Sequence, residues 1–197
     1  SAHTNTLGGT ATLAANLLPG NFQGVAVSNS VSNSIFGNRI GTDVTGMLAI
    51  GNSNAGISMS LGAANNTVGG ATAGHRNIIS GNSGDGVVIS GCTASGKRLF
   101  GNYIGTTITG ISPLPNSTGL LLLSSGSGNL IGGPGASEGN LISGNTFDGI
   151  SLVASNGNTV QRNLIGTDLN GISGVANGRE GISLSFGSTG NLIGGAT

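Results

Sequence analysis

The chain has 197 residues, 40 of them Gly, with 6% charged side chains and a formal net charge of zero. Its cations, Arg39, Arg76, Lys97, Arg98, Arg162 and Arg179, are scattered, so the clustered basic surface that a nucleic-acid backbone demands is missing and nucleic acid is excluded as a partner. Glycine at this level belongs to a flexible low-complexity chain or to a repeat fold rich in tight turns; the 36% hydrophobic content decides for the repeat, because disordered chains lack it.

In chain order, short apolar bursts alternate with Gly, Asn and Ser. After "NTLGG" at residue 5, "GVAV" at 24 is the first of a series of Gly-led alternating triplets, followed by "GISM" at 56, "GVVI" at 86, "GLLL" at 119 and "GISL" at 149 and 181. The intervals are 32, 30, 33, 30 and 32 residues, so a unit near 31 occurs about six times and two unit types take turns. One type carries "NTVGGATAGHRNIISGNSGD" (66–85) and "NLIGGPGASEGNLISGNTFD" (129–148). The other carries "NSIFGNRIGTDVTG", "KRLFGNYIGTTITG" and "NTVQRNLIGTDLNG". Each adds two more apolar bursts to its triplet, predicting three strands of 3 to 5 residues per unit.

Frequent Gly excludes helical repeats, since each Gly in a helix interior costs about 1 kcal/mol. The Leu run at 120–123 is too short to span a membrane. Three short strands per turn, repeated without reversal, predict an all-β fold: a right-handed parallel β-helix, one solenoid over 1–197, of about six coils of ~31 residues. Like residues then stack on like. Val25, Ile57, Val87, Leu120, Ile150 and Ile182 form one inward column, and Val27, Met59, Ile89, Leu122, Leu152 and Leu184 its neighbour. Asn38, Asn82, Asn102 and Asn145, each after a Gly, belong at corners, where their amides form ladders from coil to coil. Thr42, Thr106 and Thr167 occupy equivalent corners, and Asp43 and Asp168 follow in solvated turns near Arg39 and Arg162.

The pattern "N-x-I-G-T-D-x-x-G … G-N … N-T-V-G-G … R-N-I-I-S-G-N", running from "NTLGG" at 5 to "NLIGG" at 191, resembles the repeats of large secreted bacterial proteins with right-handed parallel β-helix regions, grouped with pectate-lyase-like folds. The resemblance implies an exported or cell-surface protein and carries no catalytic motif to transfer.

Candidate chemistry is sparse. In the column before the marker Gly, Asp148 and Glu180 fall in adjacent coils, where a carboxyl separation of about 5 Å suits a retaining glycosidase. Arg179 beside them offers the plainer expectation of a solvated, charge-compensated turn. Phe36 and Phe100 read as stacked corner aromatics, and His75 as a solvated surface residue. Cys92, with His3 and His75 distant in sequence, reads as an inert structural thiol. No spacing of metal ligands is present, so no cofactor is expected. Ranks of Thr are too sparse for an ice-binding face. "NST" at 116–118 is a glycosylation sequon. The termini share one phase of the repeat and show no polar cap, which is expected either of a piece of a longer β-helix or of copies that stack head to tail, and both leave terminal strands exposed for pairing. The functional expectation is an extracellular structural or adhesive segment that self-associates end to end into a fibre or forms part of a longer rod, with polysaccharide binding or cleavage as the alternative.

Overall fold

Alternation of apolar and small residues after each marker Gly produces strands with one face inward. The computed structural model describes residues 4–11, 14–91 and 95–195, so Cys92 and His3 lie outside the described residues. It is a parallel β-solenoid of about six turns, with three parallel sheets along its length.

The first sheet runs in order from Thr6–Gly8 through Ser34–Phe36, Thr67–Gly69, Arg98–Phe100, Leu130–Ile131 and Thr159–Val160 to Leu192–Ile193. The second stacks Leu17–Leu18, Arg39–Ile40, Ile78–Ile79, Tyr103–Ile104, Leu141–Ile142 and Leu164–Ile165. The third holds the Gly-led segments: Val25–Ser28, Ile57–Ser60, Val87–Ser90, Leu120–Leu123, Ile150–Val153 and Ile182–Ser185. Strands have two to four residues, shorter than the sequence predicts, because positive-φ residues and corner asparagines close in on both sides.

Register in the third sheet follows the sequence columns: Val25, Ile57, Val87, Leu120, Ile150 and Ile182 are successive partners, as are Val27, Met59, Ile89, Leu122, Leu152 and Leu184. Two further columns complete the core, Ile35, Val68, Leu99, Ile131 and Val160 from the first sheet, and Ile40, Ile79, Ile104 and Ile142 from the second. Burial of each aliphatic side chain contributes about 1.5–3 kcal/mol before chain entropy is set against it.

Asparagine ladders stand at all three corners. Before the second sheet, Asn16, Asn38, Asn77, Asn102, Asn140 and Asn163 are linked by Nδ2–H donated to the next Oδ1 at 2.8–3.1 Å. Between the second and third sheets, Asn52, Asn82, Asn116, Asn145 and Asn177 do the same at 2.8–3.1 Å, and the Asn21 backbone N–H joins at 2.9 Å. Each inner rung uses its amide fully: Asn102 Oδ1 accepts from both N–H groups of Asn77, while Asn102 Nδ2 donates to Asn140 Oδ1 and to the Val68 carbonyl. The ladders thus satisfy backbone and side chain inside a coil where no water competes. Asn38 and Asn102 belong to one ladder, Asn82 and Asn145 to the other.

The third ladder, before the first sheet, was not read from the sequence. It links Asn5, Asn33 and Asn66, and then Asn129, Asn158 and Asn191. Between the two runs Lys97 takes an Asn position, fully buried, with its backbone N–H donated to Asn129 Oδ1 at 3.2 Å. The signal was present: an Asn precedes each of "TLG", "SIF", "TVG", "LIG" and "TVQ".

The two unit types differ in where extra residues leave the coil. Arg39 pairs with Ile78, 39 positions on, whereas Ile78 pairs with Tyr103, only 25 positions on. In one type a hairpin emerges after the second-sheet strand, closed by antiparallel bridges Thr42–Ala49, Thr106–Pro113 and Thr167–Gly174. In the other, extra residues precede that strand, around the short 3₁₀ turn Ala73–His75. The outer face of the second sheet therefore lies between two rows of insertions.

Candidate functional site

This walled face forms a groove of about 720 Å³. Its floor is the outward column of the second sheet, Tyr103, Leu141 and Leu164. One wall is made by the turns at 70–73 and 136–139, and the other by the hairpin that carries Leu169. Hairpins one super-repeat apart are tied together, Ile108 N–H to the Gly46 carbonyl at 3.0 Å and Leu169 N–H to the Gly110 carbonyl at 2.9 Å. They cover outward Ile78 and Leu141, which are only 3% and 2% exposed.

Two arginines line the groove. The Arg76 guanidinium lies over the Tyr103 ring, 4.1 Å from its centroid, and its Nε donates to the Gly101 carbonyl at 3.3 Å. Arg162 is exposed and has φ +56, a left-handed conformation uncommon for a residue with a Cβ. No carboxylate belongs to the lining. Adjacent Glu138 instead accepts the Gly135 N–H at 2.9 Å.

Asp43 works within its own hairpin. Its Oδ2 accepts the Thr45 hydroxyl at 2.6 Å and its Oδ1 accepts the N–H groups of Met47 and Leu48 at 3.0 and 3.1 Å. These bonds, the Thr45 hydroxyl foremost and Leu48 next, hold its pKa at about 2, below the usual 3.8. Asp168 accepts from Ile172 and Asn170 N–H, both at 3.0 Å, and its pKa is lowered chiefly by the Ile172 bond. It is 6% exposed, so the solvated turn expected from the sequence is in this case a covered one. Arg39 and Arg162 are not among the hydrogen-bond partners of either acid. In the middle hairpin Thr107 replaces the acid, and its Oγ1 meets Thr109 Oγ1 at 2.8 Å.

The Asp148–Glu180 column is also tied to backbone. Asp148 Oδ1 accepts the Glu180 N–H at 3.4 Å, as Asp85 Oδ1 accepts the Thr118 N–H at 3.0 Å one super-repeat earlier. The Arg179 guanidinium lies over the Phe147 ring, 4.6 Å from the centroid. Phe36 likewise packs edge-on against His75 at 4.7 Å rather than on Phe100, whose register partner in the intervening coil is Gly69. His75 Nδ1 meets Thr72 Oγ1 at 2.5 Å, so it is not simply solvated. Among the described residues no cluster of three His, Cys, Asp or Glu is placed to hold a metal ion, and no helix is long and apolar enough to cross a membrane. Asn116 of the "NST" sequon is 1% exposed and its Nδ2 donates to Asn145 Oδ1 and the Ile79 carbonyl, so a glycan there is incompatible with the ladder.

Fold and groove together define the class: a three-sheet parallel β-solenoid with an asparagine ladder at each corner. In comparison with known proteins, no family model, curated protein or solved structure matches the chain.

Proposed function

We propose that the chain is a structural or adhesive segment of an extracellular or cell-surface protein, a stiff β-solenoid onto which further coils add end to end. The next coil comes from a second copy, giving a fibre, or from a longer rod of the same kind. The observation that carries this reading is the regular stack itself, three parallel sheets and three asparagine ladders that repeat in one direction along the axis. Leu184 and Ile193, inward members of their columns, are 47% and 42% exposed, whereas their partners Leu152 and Val160 are 0% and 2% exposed. At the last rung of the ladder between the second and third sheets, Asn177 Nδ2 donates to the Ile142 carbonyl. An open parallel edge over an apolar core is a template for another coil.

Light scattering and electron microscopy of the chain over a wide concentration range test this. End-to-end assemblies that grow with concentration, and that Leu184→Lys with Ile193→Lys abolishes, are the expected result; single particles at every concentration contradict self-association. In this reading the chain is not an enzyme. A polysaccharide screen comparing it with Glu180→Gln tests that statement, and turnover that depends on Glu180 overturns it.

A further inference from the structure

The groove over the second sheet lies on the flank of the solenoid and is built within a single copy, so what it does is independent of end-to-end assembly. Two of the six cations of the chain line it, with no carboxylate in the lining. They hold equivalent positions, each directly before an Asn of the same ladder, Asn77 and Asn163, three coils apart. At the parallel inter-strand spacing that separation is roughly 14 Å of backbone. Arg76 leans one coil towards Arg162 and is held there by the Tyr103 ring and the Gly101 carbonyl. Among the described residues, its two terminal nitrogens have no protein hydrogen bond, which leaves the planar fork that recognises carboxylate, sulfate or phosphate oxygens.

Arg162 gives a second, independent indication. The matching positions Gly37 and Gly101 are glycines with φ +71 and +63. Glycine adopts that conformation without strain, yet Arg162 keeps it, the only charged residue among the described non-glycine residues at positive φ. The backbone does not call for an arginine there, and Arg162 is one of the residues that line the groove. A smaller groove of about 250 Å³ continues past Arg76 to Arg39, so the basic track runs along the solenoid axis.

We propose that this track binds an extended anionic glycan, a saccharide chain bearing carboxylate or sulfate groups, laid along the axis with its anions on Arg76 and Arg162. The wide spacing of the cations suits a chain of low charge density and not a nucleic acid, which carries a phosphate about every 3.4 Å of each strand. Leu164 and Leu169, 37% and 39% exposed, offer apolar contact to ring faces, and Thr72, Ser137 and Asn163 line the polar walls that hydroxyls require.

Dextran sulfate, carboxymethyl dextran and neutral dextran share one backbone and differ in charge, so titrating each against the intact chain separates anion recognition from saccharide contact. At least one charged dextran binds, the tighter of the two naming the preferred anion, and neutral dextran does not. Arg76→Gln and Arg162→Gln each weaken binding about tenfold, as expected for loss of a charge-assisted bond, with the circular dichroism spectrum and melting temperature unchanged. Arg76→Lys, which loses the fork, weakens binding too, while Arg98→Gln on the first sheet leaves it unaltered. Absence of binding to both charged dextrans overturns the proposal. So does equal weakening by Arg98→Gln, or polyglutamate binding as tightly as the charged dextrans.

Discussion

Asparagine is a costly residue to bury, and this chain buries it at every corner. Asn102 shows why the arrangement is stable: removing its side chain leaves the backbone N–H and one side-chain N–H of Asn77 without their acceptor, and takes the Asn102 amide donor from Asn140 Oδ1 and the Val68 carbonyl, the Asn102 backbone N–H alone still reaching Asn140. Asn102→Ala is therefore expected to destabilise the chain by about 3 kcal/mol, read from urea unfolding, more than its lost contacts alone would cost. Asp43 makes a different prediction. Its pKa of about 2 in the folded chain lies below the usual 3.8, so its hairpin bonds support folding fully above pH 3.8 and are lost as pH falls towards 2. Asp168, lowered in the same direction, adds to the effect. The melting temperature is expected to drop across that window, and the drop to shrink in an Asp43→Asn, Asp168→Asn double variant; an unchanged acid limb contradicts the assignment. Neither role was legible in the sequence, where both acids read as solvated turn residues because side-chain acceptors within a loop leave no periodic trace.

The strands themselves are weak, two to four residues each, and corners fix their register. Gly105 has φ +90, and a Cβ there would collide with Asn145 Oδ1 and the Ser143 carbonyl of the next coil. Gly105→Ala is expected to cost about 2 kcal/mol or more in the same unfolding measurement, because strain and ladder displacement add. Gly174, at the tip-side bridge of the last hairpin, has open space around it, and Gly174→Ala is expected to be near neutral. At this scale the sequence was most informative. Spacing of the Gly-led triplets placed the third sheet residue by residue, since identical intervals and in-register pairing are the same fact seen twice. Spacing along the second sheet alternates too strongly to be read that way, because the inserted residues fall before its strand in one unit type and after it in the other. The groove followed from those insertions, and with it the pairing of Arg76 and Tyr103, residues that share no motif.

For the whole molecule, stability is a sum over coils and their interfaces, so position along the axis sets the effect of a substitution. Leu122 is fully buried in a middle coil, and Leu122→Ala is expected to cost about 3 kcal/mol or more and to split unfolding into two transitions as the halves uncouple. Leu184 holds the same column position in the last coil but is 47% exposed, and Leu184→Ala is expected to cost about 1 kcal/mol with one transition retained. Equal effects at the two sites would contradict a linear stack.

The claim beneath all of this is that residues about one coil apart in sequence stand side by side, amide on amide. Nuclear Overhauser contacts between side-chain amide protons test it directly: Asn102 with Asn140 and Asn82 with Asn116, pairs 38 and 34 residues apart. The account predicts both contacts, with the amide protons protected from exchange. Amides that exchange freely and show contacts only to sequence neighbours would contradict it.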